Sequence, residues 1–192
     1  TFDEIFALYN FDKNIKAIFL KYILEIEIVI KAIMANTISE KYDIRNYLKR
    51  ENFDSKVNLS LVDELIESIK GEIDNNYTKH EAVKHYKDVH GFVPPFVMTK
   101  ILTLGTTSRY YGLLKQEDRQ QISKYFKISD KLLKQILINL TMIRNKSAHS
   151  DRLFSYRSKF YVSFKNIDKK YVQERKFYKL VYDDRVYENI TR

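Results

Sequence analysis

The chain has 192 residues, a formal net charge of +9 at pH 7, and 44% hydrophobic and 31% charged residues, a balance typical of one water-soluble, mainly helical domain. The absence of cysteine excludes disulfides, cysteine-ligated zinc and thiol catalysis, and it is compatible with a reducing cytoplasm, the predicted location. The positive charge favours an anionic partner, namely nucleic acid, an anionic membrane or an acidic protein.

The first predicted helix opens at a capping box, Thr1-x-x-Glu4. Apolar residues then recur at three- and four-residue steps, along one long helix or two nearly collinear helices broken around residues 10–12. The stripe comprises Ile5, Leu8, Ile15, Phe19, Tyr22, Ile26, Ile30, Ile33 and Thr37, and is widened by Ile18, Ile23 and Ile28. Its width predicts burial against more than one neighbour. Charged residues interrupt the most apolar segment, 17–34, so no helix that spans a bilayer is expected.

The region after this helix is predicted to contain less regular structure. Residues 42–58 are polar and are predicted to be irregular, apart from a short helix near 44–49. Ser60 is predicted to cap a helix over 61–73, where apolar residues again repeat at helical spacing.

A second capping box, Thr78-x-x-Glu81, predicts a helix that stops at Gly91. Three histidines recur there at intervals of five residues, at His80, His85 and His90. Five residues turn about 140° around a helix, so the three imidazoles fan out and cannot share one metal ion. The sequence predicts no metal site and no cofactor.

The next helix is predicted to start at Pro94-Pro95 and to end at Gly105. Thr106 or Thr107 then caps a segment around Arg109-Tyr110-Tyr111. The favoured interpretation buries both tyrosine rings in the core with their hydroxyls at its rim. The alternative is that the rings stack on RNA bases beside basic residues.

The last predicted helix follows a charged helix over 116–126 and is capped by Ser129-Asp130. Its apolar face comprises Leu132, Leu133, Ile136, Leu137, Leu140 and Ile143. The helix closes in a polar cluster of Arg144, Asn145, Lys146 and His149, which Arg152 follows. Arginine binds anions, and histidine is the side chain that gives and takes a proton near neutral pH. Together they indicate chemistry on a phosphate.

The spacing of this cluster restricts how it can work. On an ideal helix, Arg144 and His149 project about 140° apart. One straight helix therefore cannot aim both side chains at one phosphate. Either the helix breaks near residues 145–147, or two copies of the motif meet across a two-fold axis and share one cleft.

The pattern changes beyond residue 157. Residues 158–192 mix aromatic residues with lysine and arginine in short alternation, which favours a small irregular or β-containing lobe. The sequence thus predicts a helical domain over 1–157 and a basic, aromatic-rich segment over 158–192. Because the chain lacks an initiating methionine, it is expected to be a fragment of a longer protein.

Three stretches of the chain occur in the same order in one known family. They are residues 1–12 (TFDEIFALYNFD), 94–111 (PPFVMTKILTLGTTSRYY) and 143–154 (IRNKSAHSDRLF). Together they resemble the Abi-like (AbiD/AbiF) abortive-infection family of the HEPN superfamily, whose hallmark is an arginine, a polar residue and a histidine four to six positions later. The resemblance covers roughly residues 1–157.

The chain departs from the usual family pattern at four positions. Ser150 stands where a second histidine is usual, and Lys100 stands where a glutamate is frequent. Phe96 and Phe154 occupy positions where tryptophan is common. The missing histidine and glutamate therefore cannot be essential to an activity of this chain.

The resemblance implies an all-α, HEPN-type helical bundle that forms a homodimer and cuts RNA without a metal ion, as a toxin of phage defence. In this scheme Arg144 holds the phosphate, His149 acts as general acid or base, and Asn145 orients a catalytic group or the backbone. The residues expected to bind RNA are Lys31, Lys146, Arg152, Arg157 and Arg109. The resemblance also places the pair Glu27 and Lys31 beside the catalytic groove, although a surface ion pair is the favoured interpretation.

A non-catalytic RNA-binding module is the alternative function. The charge of +9 and the interleaved tyrosines could clasp a structured non-coding RNA without cutting it. The resemblance supports such a partner too, because HEPN proteins include toxins that a cognate RNA holds in check. Nucleotide transfer onto protein or RNA is disfavoured, because the sequence has no nucleotide-binding loop and no metal-binding pair of carboxylates.

Overall fold

Seven α-helices form the regular structure of residues 1–149 and 151–158, the part of the chain that the computed structural model describes. They are α1 (Phe2–Tyr42), α2 (Leu59–Asn75), α3 (Glu81–His90), α4 (Pro95–Ile101), α5 (Leu104–Leu113), α6 (Gln116–Lys124) and α7 (Asp130–Ala148), with a 3₁₀ turn at Arg50–Asn52. The predicted all-α fold is confirmed. The predicted C-terminal lobe lies outside the described residues, except for Ser158.

Helix α1 is the element against which most of the bundle packs. It begins at the predicted capping box, where the hydroxyl of Thr1 accepts a hydrogen bond from Glu4 N. It then runs without a break to Tyr42, so the alternative of two collinear helices is wrong. Helices α4, α6 and α7 pack on it, and the fully buried Ile30 and Met34 form the centre of the core.

Only the C-terminal half of the predicted stripe on α1 is buried. Ile30 and Thr37 are buried and Ile33 is half-buried, whereas the remaining members are exposed or half-buried: Ile5, Leu8, Ile15, Phe19, Tyr22 and Ile26. Of the flanking isoleucines, Ile23 is buried, but Ile18 and Ile28 are 57% and 69% exposed. A helix of 41 residues extends for about 60 Å, and the shorter helices cover only part of that length. Periodicity identifies an apolar face but not the neighbour that covers it.

Two predicted starts of helices are wrong because another residue occupies the cap position. Asn58, rather than Ser60, caps α2, and its side-chain oxygen accepts a hydrogen bond from Ser60 N at 2.9 Å. His80 precedes α3 and provides no side-chain cap, so the capping box predicted at Thr78 is not formed. The predicted stop at Gly91 is confirmed, because this residue has the left-handed conformation (φ 73°) that favours glycine.

The short helix predicted near residues 44–49 is a series of turns. Asp43, at the end of α1, accepts a side-chain hydrogen bond from Asn46 at 3.1 Å. Asn52 then donates from its side chain to the carbonyl of Asn46 at 2.8 Å. These polar side chains compete with helical backbone hydrogen bonding, which explains why no helix forms.

The boundary between α4 and α5 falls at residues 102–103 rather than at Gly105. Thr103 caps α5, because its hydroxyl accepts a hydrogen bond from Thr106 N at 3.1 Å. Glu72 of α2 reinforces this helix start by accepting hydrogen bonds from Thr103 N, at 3.1 Å, and from the Thr106 hydroxyl. Gly105 lies inside α5, so the predicted glycine stop and the caps predicted at Thr106 or Thr107 are wrong.

The adjacent tyrosines of α5 belong to the core. Tyr110 and Tyr111 are both fully buried, and the hydroxyl of Tyr111 donates to the carbonyls of Arg119 and Asp130 at 3.1 Å each. Burial raises the pKa of both phenols. The core interpretation is therefore confirmed for the rings, while stacking on RNA bases is wrong. The hydroxyls lie inside the core rather than at its rim.

A buried carboxylate joins α6 to the end of α1. Asp118 is 1% exposed and accepts hydrogen bonds from the ammonium of Lys41, at 2.5 Å, and from the hydroxyl of Tyr42. Asp118→Ala should lower the free energy of unfolding by about 2–3 kcal/mol, because both donors lose their buried acceptor. Glu117→Ala removes an exposed carboxylate from the same ammonium and should lower the free energy of unfolding much less, because water screens an exposed ion pair. Urea denaturation followed by circular dichroism measures both, and equal losses would contradict this assignment.

Candidate functional site

Helix α7 carries the Arg144–His149 motif to the edge of the bundle. Its start is capped as predicted, because the hydroxyl of Ser129 accepts a hydrogen bond from Leu132 N at 3.2 Å. The helix continues through Ala148, and His149 N still donates to the carbonyl of Asn145 at 3.1 Å. The helix therefore does not break near residues 145–147.

The catalytic candidates have free side chains. Arg144 is half-buried, and Asn145 and His149 are exposed. None of these three side chains makes a hydrogen bond or an ion pair within residues 1–149 and 151–158. Helix α7 is regular through Ala148, and His149 is its C-cap with an extended backbone. Five residues turn about 140° on an ideal helix, so this geometry favours an arginine and a histidine that leave the helix on different sides. No hydrogen bond joins the two side chains within the described residues.

The segment after α7 is fixed to the N-terminal half of α1. One oxygen of the Asp12 carboxylate accepts hydrogen bonds from the backbone amides of Leu153 and Phe154, both at 2.8 Å. The other oxygen forms an ion pair with Lys16 at 2.6 Å. Asp12 is 6% exposed and Leu153 is 7% exposed. A buried side chain far away in sequence thus holds the chain at Leu153, four residues beyond the end of the motif at His149.

Residues 151–158 fold back along α7. The ammonium of Lys146 lies 3.5 Å from the Asp151 carboxylate and 5.1 Å from the centre of the Tyr156 ring. Further along, the hydroxyl of Ser158 donates to the side chain of Asn139 in the middle of α7. Arg152 and Arg157 are exposed on this segment. The structure therefore brings two of the predicted RNA-binding residues, Lys146 and Arg152, to the same end of α7 as the catalytic candidates, whereas Arg157 lies next to Ser158, which contacts the middle of the helix.

Lys31 lies elsewhere, in a groove of about 530 Å³ between α1 and α4. Its ammonium donates to Glu27 at 2.6 Å and to the carbonyl of Leu102 at 2.5 Å. Both side chains of the ion pair are 12% exposed, so the pair is more buried than the favoured surface interpretation implied. These contacts use two of the three N–H donors of the ammonium. The pair joins α1 to the junction between α4 and α5.

Arg109 is also separate from the motif. It is exposed on α5 and lies 3.9 Å from Glu64 of α2, at the limit of an ion pair. Helix α5 packs on α2 and α7, but Arg109 shares a shallow surface pocket with Leu61 and Lys134, which lies in the first half of α7. The structure thus does not bring Arg109 to the cluster at the end of α7.

Asp12 is the site residue that was missed in the sequence. A signal was present, because Asp12 occurs in a predominantly apolar helix and lies on the same face as Leu8 and Ile15. A carboxylate in such surroundings needs hydrogen-bond donors or a counter-ion. The donors are the backbone amides of residues 153 and 154, which no sequence pattern identifies.

Comparison with known proteins adds one finding about family. A family model described as Abi-like protein matches residues 1–155. Comparison with curated proteins and with solved structures finds no match. In the described part of the chain, no helix has the length and apolarity needed to cross a membrane, and no group of histidines and carboxylates is arranged to hold a metal ion.

The hydrogen bonds that Asp12 accepts from the amides of Leu153 and Phe154 are called the Asp12 clamp. This clamp should make the free energy of unfolding depend on pH. The hydrogen bond from Lys16 lowers the pKa of the Asp12 carboxyl, burial opposes this effect, and the amides of Phe154 and Leu153 add to the lowering. In an unfolded chain the pKa of an aspartate carboxyl is about 3.9. The stabilisation is therefore present above about pH 4 and is lost as the pH falls below that value.

Asp12→Asn should accordingly lower the free energy of unfolding at pH 7 by more than it does at pH 3. The variant lacks the ionised carboxylate at every pH, whereas the wild-type chain loses its stabilisation only as the pH falls below about 4. Urea denaturation of both proteins at a series of pH values measures the difference. A difference that stays constant across the series would contradict the role given to the ionised carboxylate.

Proposed function

The chain belongs to the Abi-like protein family, a family of abortive-infection phage defence, and on that premise we propose that it is a metal-independent endoribonuclease. The observation that supports this function is the cluster at the end of α7. An arginine and a histidine there have no partner within the described residues, and the basic residues Lys146 and Arg152 are close to them along the chain. Free cations and a free imidazole are the groups that an RNA phosphodiester requires.

The proposed reaction uses a nucleophile that belongs to the substrate. One His149 acts as general base and removes the proton from the ribose 2′-hydroxyl, and the 2′-oxygen attacks the adjacent phosphorus. The bond to the 5′-oxygen breaks, and a protonated imidazole, or water, supplies the proton that this leaving group takes. The products are a 2′,3′-cyclic phosphate and a 5′-hydroxyl end. DNA lacks the nucleophile and is not cut.

Arg144 provides electrostatic stabilisation in this scheme. Its guanidinium donates charge-assisted hydrogen bonds to the non-bridging phosphate oxygens, which gain charge in the transition state. Asn145, exposed next to it, orients a catalytic group. Lys146 and Arg152, at the same end of α7, bind the flanking phosphates. Arg157, on the segment that folds back towards the middle of α7, binds a phosphate further along the RNA.

A second copy of the chain completes the site. Because α7 is unbroken, the arginine and histidine of one chain project to different sides, so the pair that acts on one phosphate comes from two copies. An apolar stripe on α1 offers a surface for such a dimer. It comprises Leu8, Phe11, Ile15, Ile18, Tyr22, Ile26 and Val29, which are spaced by three and four residues and are exposed or half-buried. Leu8 and Ile15 lie one turn on either side of Asp12, so the stripe passes beside the motif.

Cleavage of total RNA in EDTA tests the proposed chemistry. The wild-type chain should cut RNA but not single-stranded DNA of the same sequence, and sequencing of the ends should find cyclic phosphates. His149→Ala should reduce the rate by about 10²–10⁴-fold and Arg144→Ala by about 10²–10³-fold. His85→Ala, which removes an exposed histidine from α3, is the matched control and should cut RNA normally.

Two outcomes would contradict the nuclease. One is cleavage that requires Mg²⁺, and the other is cleavage that persists in the His149→Ala variant. Steeply salt-dependent binding of a structured RNA, without cleavage across a broad panel of RNAs, would instead assign the chain to the non-catalytic binding modules.

Heterodimers with the two substitutions in different arrangements test the composite site. A dimer of Arg144→Ala with His149→Ala keeps one intact pair formed between copies, so it should retain up to about half of the wild-type activity. A dimer of wild type with the double variant carries the same two substitutions but keeps no such pair, so it should be inactive. Differently tagged copies allow each heterodimer to be purified. The reverse order of activities, or a chain that remains monomeric, would place the site within one copy.

A further inference from the structure

We propose that Asp12 is a positioning residue for the motif: it holds the segment after α7 so that His149 and Arg152 keep a fixed placement. This inference rests on the proposed function. It concerns a residue of α1 that is more than 130 positions away from the motif in the sequence and that neither reacts with nor binds RNA.

The contact resembles a helix cap that is supplied from a distant part of the chain. Leu153 to Tyr156 form a turn in which Tyr156 N donates to the carbonyl of Leu153 at 2.9 Å. The amides of Leu153 and Phe154 at the start of this turn have no acceptor within it and donate to Asp12 at 2.8 Å each. Residues that cap helices bind leading amides in this way. Here the acceptor is ionised, which strengthens both hydrogen bonds.

The consequence for the motif follows from the short distance along the chain. Three residues separate His149, the last residue bonded to α7, from Leu153. A residue spans at most about 3.6 Å of extended chain, so a clamp at Leu153 restricts where His149 and Arg152 can lie. A catalytic group displaced by about 1 Å can lose a factor of about 10² in rate.

The same segment makes other contacts with α7. Ser158 donates to the buried Asn139, nine residues beyond His149, and the contacts closer to the motif are weaker anchors. The Lys146–Asp151 pair is exposed on the carboxylate side, and Lys146 contacts the ring of Tyr156 at the surface. Exposed pairs of this kind contribute little to stability. Asp12 and Leu153, in contrast, are both buried. The clamp is therefore the buried contact nearest to His149, and its loss should release the residues between His149 and Leu153.

Two substitutions at Asp12 and one matched control test the proposal in the full chain. Asp12→Ala removes the acceptor, whereas Asp12→Asn keeps an oxygen that accepts both amides. Asp118→Ala removes a comparably buried carboxylate that is paired with Lys41, near the opposite end of α1, and controls for general loss of stability. Single-turnover cleavage of RNA gives the rate and the KM, and amide hydrogen exchange reports on Leu153 and Phe154.

We expect Asp12→Ala to lose protection of both amides and to cut RNA about 10–100-fold more slowly, with little change in KM. Asp12→Asn should recover most of the rate and of the protection. Asp118→Ala should be destabilised, but it should cut RNA at the wild-type rate at temperatures where the variant is still folded. Equal rates for Asp12→Ala and Asp118→Ala, despite lost protection in the former, would overturn the positioning role.

The NMR resonance of the His149 imidazole separates this inference from the proposed function. If the wild-type chain cuts no RNA, the nuclease is refuted, and the resonance decides the clamp alone. A shift in Asp12→Ala that is absent from Asp118→Ala supports the clamp. An unchanged resonance in both variants overturns it.

Discussion

The turn of about 100° per residue in α7 is the constraint on which the proposed site depends. The helix contains no proline and no glycine, which are common causes of a kink, and its hydrogen bonding extends to the amide of His149. This regularity favours an arginine and a histidine that leave the helix on different sides of its axis. In the proposed composite site each copy supplies half of each catalytic pair, so assembly is part of the proposed chemistry.

The charged residues that lack a partner within the described part of the chain include those at the C-terminal end of α7. The buried carboxylates Asp12 and Asp118 each have a lysine of α1 as partner, and the buried pair of Glu27 and Lys31 joins α1 to the α4–α5 junction. Buried charge without a partner costs several kcal/mol, so these pairs are a condition of folding. Arg144 and His149 lie where hydration is retained, and they have no partner within the described residues. In the proposed function, these two side chains are the ones left to bind an external anion.

The sequence predicted those features that depend on local rules. The α1 capping box, the Ser129 cap of α7, the Gly91 stop and the all-α class all follow from chemistry within a few residues of each site. The errors arose where a partner distant in sequence decides the outcome. Glu72 reinforces the start of α5 at Thr103, so Gly105 continues a helix instead of ending one. The position of Lys31 in a groove and the function of Asp12 as a clamp likewise depend on contacts more than 70 residues away.

The length of α1 is explained by the different features that its two halves carry. A helix that served only the core would need little more than the segment from Ile23 to Ile38, where its buried side chains are concentrated. The N-terminal half buries little within one chain, yet it carries both an exposed apolar stripe and the carboxylate that clamps residues 153 and 154. Because one rigid helix carries both features, a second copy that covers the stripe is placed relative to the clamp and hence to His149. In the proposed dimer, one element sets both the interface and the geometry of the motif, which is a reason for α1 to extend beyond the core that it supports.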